Sequence, residues 1–348
     1  MKTVVIREHG GTEVLRFEET APPQRRQGFA VVSVRAVALN HLDLWVRRGV
    51  PGHRFPLPII PGSEVSGVIE SLPDGCTNWA SGDEVIVAPG TSCGVCIACT
   101  SGNDPLCRDY GIFGESFDGG CRDKVAVPLR NLLAKPAHLS FAEAAAVPLD
   151  FLTSWHMLVD RARIRQGETV LIHAGGSGVG SAALQIAKLW NAVTITTVGS
   201  AEKAERALSL GADHVINYRE SDFLQEVRSI TGKRGVDIVV EHVGADTWDN
   251  SVRSLARGGR LVTCGATTGA DVSINLRVVF FKLLSILGST MGSLHELHQI
   301  MGHVSAGRLK PVVDRVLPVD EIAEGHRILE ERKAFGKIVL EFQVGLDI

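Results

Sequence analysis

Apolar positions change their spacing abruptly in the middle of the chain. Residues 170–173 form a short apolar run, VLIH, of the kind that a buried strand requires. A glycine cluster follows at 175–180. Beyond it, apolar residues recur at helical spacing: Val179, Ala182, Ala183, Ile186, Ala187 and Trp190. The pattern predicts a strand, a tight turn and a helix over Val170–Trp190.

Similar β-rich runs continue after this helix and alternate with helical patterns. They lie at 193–198, 213–217, 236–243, 260–265 and 284–289. Strands that alternate with helices are typical of a doubly wound parallel sheet, because each crossover helix covers one face of the sheet. The sequence therefore predicts an α/β domain of the Rossmann type over residues 151–291.

The first 150 residues have a different pattern. Short alternating β segments, separated by glycine and proline, predict a partly open antiparallel β-barrel. A helical stretch from 141 to 159, with Ser140 and Glu143 as N-cap and N3 residues, is the expected crossover between the domains. Helices are expected at 294–301 and 322–333. The closing strand at 336–342 is expected to return to the barrel, so that 1–150 and 292–348 form one discontinuous domain.

Composition limits the classes of function. The 348 residues are 45% hydrophobic, enough for two cores, and the formal net charge of −3 provides no basic field for nucleic acid. No uncharged apolar run reaches membrane-spanning length, and the first residues lack a secretory apolar segment. We expect a cytoplasmic protein with a small-molecule substrate, and with neither a nucleic acid nor a membrane as partner.

The glycine cluster predicts a dinucleotide site. Glycine permits the sharp bend and lets amide groups at a helix N-terminus approach a pyrophosphate. Against the pattern GxGxxG, Ser177 replaces the middle glycine, and the predicted cofactor-binding residues here are Ser177, Gly178 and Val179. Val243 and Gly265, which end two later β-rich runs, are assigned to the same site. The alternative is a plain strand-to-helix connection.

The end of the second strand indicates which cofactor binds. An NAD site places Asp or Glu there for the ribose hydroxyls, but the strand ends in Val198, Gly199 and Ser200. Ser200 could hydrogen-bond a 2′-phosphate, and Lys203 could supply positive charge. The alternative is ordinary helix capping by Ser200 with a solvated lysine. The missing carboxylate favours NADPH.

Four cysteines predict a structural zinc site at 93–107. Cys93, Cys96, Cys99 and Cys107 place four thiolates in one loop, which suits a tetrahedral zinc ion with no position open for substrate. An iron–sulfur centre usually has its fourth cysteine three residues after the third, followed by proline, whereas here the gap is seven and Arg108 follows. Disulfides are disfavoured by the expected compartment.

Several stretches together resemble the medium-chain dehydrogenase/reductase superfamily, which contains zinc alcohol dehydrogenases and quinone oxidoreductases. The resemblance covers nearly the whole chain and lies in NHLDLWVRRG (40–49), PGSEVSG (61–67), the four-cysteine loop, AGGSGVG (174–180) and the closing GKIVL. It implies a GroES-like barrel and a Rossmann domain with the active site in the cleft between them.

The chain departs from the alcohol dehydrogenases at the catalytic zinc. The resemblance aligns the three ligand positions with Asn40, Ser63 and Leu149 or its neighbour Asp150, and the proton-relaying hydroxyl with Leu42. Asn and Ser are poor zinc ligands compared with thiolate and imidazole. We therefore expect the catalytic metal to be lost. A substitute ligand set of His41, Glu64 and Asp150 is the minority alternative.

The resemblance also assigns roles to single residues. It places His41 at the cofactor pyrophosphate and Tyr218 beside the adenosine phosphate, with a surface imidazole as the simpler alternative for His41. Asn40 would contact nicotinamide or substrate, or would simply cap a turn. Thr153 would line the nicotinamide pocket or pack in its helix. Asp43 and Glu64 match positions near the cleft floor, and they are expected to brace it.

These expectations define one function and its competitors. Hydride transfer to a quinone or an activated C=C bond needs no Lewis acid, whereas alcohol oxidation without a metal loses its means of stabilising an alkoxide. The predicted function is NADPH-dependent reduction of such acceptors, with water or a histidine as proton source. The alternatives are a zinc alcohol dehydrogenase with altered ligands and an NADPH-binding protein without turnover.

The apolar run at 284–289 would be an unprotected sheet edge, which predicts a homodimer or homotetramer.

Overall fold

A computed structural model describes residues 1–342 and divides the chain into two compact units. Of the described residues, 1–149 and 293–342 belong to unit 1, and unit 2 is Asp150–Gly292.

The strands are numbered in chain order. They are β1 (Lys2–Val5), β2 (Arg16–Glu19), β3 (Phe29–Ala38), β4 (Glu64–Ser71), β5 (Glu84–Val87), β6 (Gly90–Thr91), β7 (Gly111–Ile112), β8 (Lys124–Pro128), β9 (Leu132–Ala134), β10 (Thr169–Ile172), β11 (Val193–Val198), β12 (His214–Asn217), β13 (Val236–Glu241), β14 (Leu255–Thr263), β15 (Ser285–Gly288), β16 (Val313–Pro318) and β17 (Lys337–Glu341).

The helices are numbered in the same way. They are α1 (His41–Arg48), α2 (Ile97–Thr100), α3 (Phe141–Ala145), α4 (Pro148–Trp155), α5 (Gly178–Leu189), α6 (Ala201–Ser209), α7 (Phe223–Ile230), α8 (Trp248–Ser254), α9 (Leu276–Lys282), α10 (Leu294–Ser305) and α11 (Ile322–Glu330). A π-helical stretch, His156–Arg161, continues α4.

Unit 2 contains the predicted doubly wound parallel sheet. Its six strands run in the order β12, β11, β10, β13, β14, β15, and every neighbouring pair is parallel. The chain leaves β10 toward one edge of the sheet and later passes from β13 to the other edge. The point where the strand order reverses therefore lies between β10 and β13, where this fold class binds its ligands.

The core of unit 2 explains its strand sequences. Leu171, Ile195, Val239 and Leu261 lie in four neighbouring strands and are completely buried. Strands covered by helices on both faces have continuous apolar runs instead of alternating ones. This is why the period of the sequence identifies these strands so clearly.

Unit 1 is built on a largely antiparallel sheet. The order is β16, β17, β3, β4, β5, β9, with β8 also paired to β3. The closing strand β17 lies antiparallel to β3, with Val339 opposite Ala38, and β16 lies parallel to β17. The predicted return of the last strand is thus present. Among residues 1–342 the strand pairing forms an open path, which agrees with the partly open antiparallel barrel expected from the sequence.

Two helices of unit 1, α3 and α10, each begin at a capping box. The Ser140 hydroxyl accepts from the Glu143 backbone N–H, and the Glu143 carboxylate accepts from the Ser140 backbone N–H. A second such capping box, with Ser293 and Glu296, begins α10. These reciprocal bonds satisfy amide groups that have no partner within the helix.

No helix in residues 1–342 is both long enough and apolar enough to cross a membrane.

Candidate functional site

The four cysteine sulfurs of unit 1 come together around one point. The Sγ atoms of Cys93, Cys96, Cys99 and Cys107 all lie within 4.8 Å of one another. Cys93 Sγ is 3.8 Å from Cys99 Sγ, and Cys96 Sγ is 3.5 Å from Cys99 Sγ. Four thiolates around a tetrahedral zinc ion lie about 3.8 Å apart, given zinc–sulfur bonds of about 2.3 Å. The residues therefore fit a closed structural zinc site.

Backbone amides of this loop favour a thiolate. The Cys96 N–H donates to Cys93 Sγ at 3.4 Å. Hydrogen bonds from the Val95 and Cys96 amides lower the pKa of the Cys93 thiol to about 6. A thiol that ionises readily is the form that binds metal.

A second polar cluster in unit 1 contains Asn40, Glu64 and Lys337, all of them buried. The Lys337 ammonium donates to Asn40 Oδ1 at 2.6 Å and pairs with Glu64 Oε2 at 2.6 Å. Asn40 Nδ2 donates to Glu64 Oε2 at 3.0 Å and to the Ala38 carbonyl at 3.3 Å. The Leu149 N–H donates to Glu64 Oε1 at 2.6 Å. This cluster joins the end of β3, the start of α1, the start of β4 and the first residue of β17.

Asp43 connects this cluster to the loop before β4. Its side chain is fully buried and accepts from the Asn40 N–H at 2.7 Å and from the Gly62 N–H at 3.0 Å. Burial raises the pKa of Asp43 to about 6, although the two amides and the nearby Lys337 oppose the shift. The carboxyl group therefore fixes the backbone on both sides of the cluster.

Asn40, which the resemblance aligns with a catalytic zinc ligand, and the neighbouring Glu64 do not fit a zinc ion. Both amide hydrogens of Asn40 and both oxygens of Glu64 are engaged in the bonds above, and an ammonium lies 2.6 Å from Asn40 Oδ1 and from Glu64 Oε2. Adding a doubly charged cation beside this ammonium would be opposed by like-charge repulsion. Ser63 is completely buried, and its hydroxyl has no hydrogen-bond partner within residues 1–342.

In unit 2 the turn after β10 has the close approaches that a dinucleotide site needs. A Cβ on Gly180 would lie 2.2 Å from the Ala174 carbonyl oxygen, and one on Gly175 would lie 2.3 Å from Thr196 Oγ1. Asp150, which belongs to the alternative ligand set, packs here: a Cβ on Gly178 would lie 1.7 Å from its Oδ2. Ser177 caps α5 by accepting from the Gly180 N–H. The turn therefore fits the pyrophosphate of a dinucleotide at a helix N-terminus.

The end of β11 carries the residues predicted to select the cofactor. Ser200 is the N-cap of α6 and accepts from the Lys203 N–H at 3.2 Å. Tyr218, which follows β12, leaves no space at Gly199, where a Cβ would lie 2.6 Å from its hydroxyl. Ser200, Lys203 and Tyr218 thus lie at one corner of the sheet, with no carboxylate among Val198, Gly199 and Ser200.

The remaining predicted residues divide between the units. Val243 and Gly265 follow β13 and β14 and lie at the same carboxyl edge of the parallel sheet as the glycine turn. Thr153 is buried within α4. His41 is the first residue of α1 in unit 1, directly after its N-cap Asn40.

Two family models cover most of the chain. The alcohol dehydrogenase GroES-like domain matches residues 26–137, and the zinc-binding dehydrogenase model matches residues 178–306. A quinone oxidoreductase of Rattus norvegicus is 30% identical over 98% of this chain and 97% of its own length. The chain belongs to the medium-chain dehydrogenase/reductase superfamily. It is accordingly an oxidoreductase of that superfamily, for which a nicotinamide dinucleotide is the expected cofactor.

Relatives with another activity are at least as similar. An NAD-dependent alcohol dehydrogenase of Saccharolobus solfataricus is 31% identical over 94% of this chain and 96% of its own length. A solved structure of an NAD-dependent alcohol dehydrogenase is 47% identical, with a TM-score of 0.95, and covers 99% of this chain and 100% of that one. Overall similarity therefore does not separate the subtypes, and the site residues must do so.

Sequence reasoning missed the position of Lys337. From the sequence, the motif GKIVL indicates only a closing strand and part of the family pattern, with no role for the lysine side chain. The lysine begins β17, and its contact with Asn40 joins residues 297 positions apart. Only a strand register could have revealed that pairing.

The raised pKa of Asp43 predicts a pH-dependent stability. Because folded Asp43 retains its proton between about pH 4 and 6 while an unfolded aspartate loses it, this term stabilises the fold below pH 4 and is lost as the pH rises through 6. The difference in unfolding free energy between wild type and Asp43→Asn should fall by roughly 2 kcal/mol from pH 4 to pH 7.

Denaturant unfolding at several pH values measures this difference. Asp74→Asn, at an exposed position of the same unit, is the control and should show no comparable slope. A difference for Asp43→Asn that stays constant or increases over this range would contradict the assignment.

Proposed function

We propose that this protein is an NADPH-dependent reductase of quinones or activated C=C bonds, with a structural zinc ion in the cysteine loop and no catalytic zinc. The observation that carries the proposal is the buried cluster of Asn40, Glu64 and Lys337, of which Asn40 is aligned by the resemblance with a catalytic metal ligand. Its donors and acceptors are engaged within the cluster or with the Ala38 carbonyl and the Leu149 amide, and its cation is an ammonium. The reaction is therefore one that proceeds without a Lewis acid.

Electron-poor acceptors meet this requirement. When bound, reduced nicotinamide supplies a hydride, and a conjugated carbonyl can spread the resulting negative charge onto its oxygen, which then takes a proton from water. Asn40 and Asp43 are proposed as positioning residues in unit 1, since Asn40 is held by Glu64, Lys337 and Asp43. Thr153 of unit 2 is proposed to line the nicotinamide pocket, as the family resemblance implies.

NADPH is proposed over NADH on the chemistry at the end of β11. The ribose end of the site lacks a carboxylate, so a 2′-phosphate meets no fixed negative charge from Val198, Gly199 or Ser200. The Ser200 hydroxyl, which already accepts one N–H, still has its proton to donate. Lys203 supplies the charge, and the Tyr218 hydroxyl lies close to Gly199. His41, Ser177, Gly178, Val179, Val243 and Gly265 complete the proposed cofactor-binding set.

The chief alternative is NAD-dependent alcohol oxidation. The 47% identity to a solved NAD-dependent alcohol dehydrogenase favours it. Against it stand the engaged amide of Asn40 and the lack of a thiolate or imidazole at positions 40 and 63. A dinucleotide-binding protein without turnover is the alternative of another class.

A second copy of the chain is the proposed partner of unit 2. β15 pairs only with β14 among residues 1–342 and thus ends the sheet. Phe280, Phe281 and Leu283 beside it are 57%, 66% and 63% exposed. Pairing of this edge across a two-fold axis would cover both features, giving a homodimer or a homotetramer in the cytoplasm. A monomeric molar mass in solution would contradict this proposal.

Stopped-flow oxidation of NADPH tests the proposed activity. Simple quinones and enones should each be offered at saturating NADPH, and we expect turnover with at least one of these classes. In parallel, oxidation of primary and secondary alcohols with NAD⁺ and NADP⁺ should be slower by orders of magnitude and should not change after chelation.

The outcomes separate the three functions. Alcohol turnover that chelation abolishes would support the zinc alcohol dehydrogenase. Tight NADPH binding with no oxidation by any acceptor would support the binding protein and overturn the enzyme assignment.

Ser200→Asp should shift the cofactor preference toward NADH. Asp is as good an N-cap as Ser, so α6 is retained while a negative charge is placed where the 2′-phosphate is proposed to bind. The ratio of kcat/KM for NADPH to kcat/KM for NADH should fall at least tenfold, equivalent to about 1.4 kcal/mol. Steady-state kinetics with both cofactors measures the ratio.

Glu205→Ala, an exposed position on the same helix, is the matched control and should leave the ratio unchanged. If Ser200→Asp also leaves it unchanged, the 2′-phosphate does not bind at this corner of the sheet.

A further inference from the structure

A buried polar network crosses the sheet of unit 2 between β10 and β13. His173 directly follows β10, and Glu241 is the last residue of β13. Their side chains are 1% and 0% exposed. The two strands are neighbours in the sheet, so both residues lie at the point where the strand order reverses. Sequence motifs do not account for either residue.

Glu241 accepts from four donors. Its Oε1 accepts from the Val243 N–H at 2.7 Å and from the Gly244 N–H at 3.1 Å. Its Oε2 accepts from the Ser251 hydroxyl at 2.7 Å and from the Thr247 hydroxyl at 2.9 Å. Burial favours the neutral acid, but the hydrogen bonds from Ser251, Val243 and Gly244 oppose it, and the pKa of Glu241 is lowered. A carboxylate that receives four donors is ionised.

The direction of each further bond follows from this. Ser251 gives its only proton to Glu241, so its oxygen accepts from His173 Nε2, 2.8 Å away. Burial lowers the pKa of His173 to about 4, which leaves a neutral ring at pH 7. Its Nδ1 therefore carries no hydrogen and accepts a hydrogen bond from the Thr197 hydroxyl at 3.1 Å.

The chain of bonds ends at the glycine turn. Thr197 Oγ1 accepts from the Ala174 N–H at 3.1 Å, and the Thr197 carbonyl accepts from the Gly175 N–H at 3.0 Å. Ala174 has a φ of 47°, in the left-handed region that Ala rarely adopts. The turn that would hold the pyrophosphate is therefore fixed by the same network as the loop after β13.

The loop after β13 is held from its other side as well. The Val243 carbonyl accepts from the Thr268 backbone N–H at 2.8 Å and from its hydroxyl at 2.9 Å. Gly244 has a φ of 97°, and a Cβ there would lie 2.5 Å from the Gly269 carbonyl oxygen. The loop is therefore held on one side by Glu241, through the Val243 and Gly244 N–H groups, and on the other side by Thr268.

We propose that Glu241 and His173 are positioning residues for dinucleotide binding. Through one polarised series of hydrogen bonds they hold the glycine turn and the loop at Val243 and Gly244 in fixed relation across the sheet. This inference rests on the proposed function in one respect, namely that a dinucleotide binds at this edge.

Glu241→Gln tests the inference most directly. Gln has the same shape but presents two N–H donors to groups that are themselves donors, so buried N–H or O–H groups lose their acceptor. The Kd for NADPH, measured by the change in its fluorescence, should rise at least tenfold, and the Kd for NADH should rise by a similar factor. The KM for the acceptor should not change. Glu241→Asp, which retains the carboxylate, should recover part of the affinity.

Because these residues share one series of hydrogen bonds, the effects of substitutions within it on the Kd should not be additive. Ser251→Ala removes the central link without changing charge and should raise the Kd severalfold. Combining it with His173→Gln should cost less than the product of the two single effects, because both break the same series. Glu226→Gln and His214→Gln, at exposed positions of unit 2, are matched controls and should bind as wild type.

Each outcome decides a separate point. Folding of every variant is checked by circular dichroism; if Glu241→Gln fails to fold, Ser251→Ala and Thr197→Val decide the matter. Folded variants of the network that bind both dinucleotides as wild type would overturn this inference alone. A wild-type protein that binds neither dinucleotide would overturn the proposed function and this inference with it.

Discussion

The buried ion pair between Lys337 and Glu64 is the interaction on which unit 1 depends. It joins the last strand, β17, to the start of β4, and through Asn40 to the end of β3. Two buried charges cost solvation energy, which such a pair recovers only when further hydrogen bonds satisfy both groups. Here the Leu149 amide and Asn40 supply them. Removing either partner would leave an uncompensated charge in the core.

The same pair limits the chemistry of the unit. A zinc site needs ligands that are deprotonated and available, whereas Asn40 and Glu64 already share an ammonium. The four cysteines form the opposite kind of environment, with sulfurs gathered at metal-binding distances and amide donors directed at Cys93. The two sites of unit 1 therefore differ in the cation that they suit. Its cysteine loop is suited to hold a zinc ion, and its polar cluster holds a fixed organic cation.

Periodicity revealed the parallel sheet because strands buried on both faces have continuous apolar runs, such as residues 170–172 of β10. Local chemistry likewise revealed the Ser140 and Glu143 capping box, whose members are three residues apart. Alternation also indicated the partly open antiparallel sheet of unit 1, but it could not predict the order of the strands, because strand pairing joins residues distant in sequence. The contacts of Lys337 and the series from Thr197 to Glu241 could not be predicted either, because they too join residues distant in sequence. Helix α1 was not predicted, because its eight residues entered only as part of the family motif NHLDLWVRRG and not through their helical spacing.

The central claim is that hydride transfer here requires no metal at the reacting end of the site. Zinc content per chain, measured on the purified protein by elemental analysis, tests it most directly when Cys93→Ser/Cys96→Ser is compared with wild type. The account predicts about one zinc per wild-type chain and almost none in the double variant. Two zinc ions per wild-type chain, one of which survives loss of the cysteines, would contradict it.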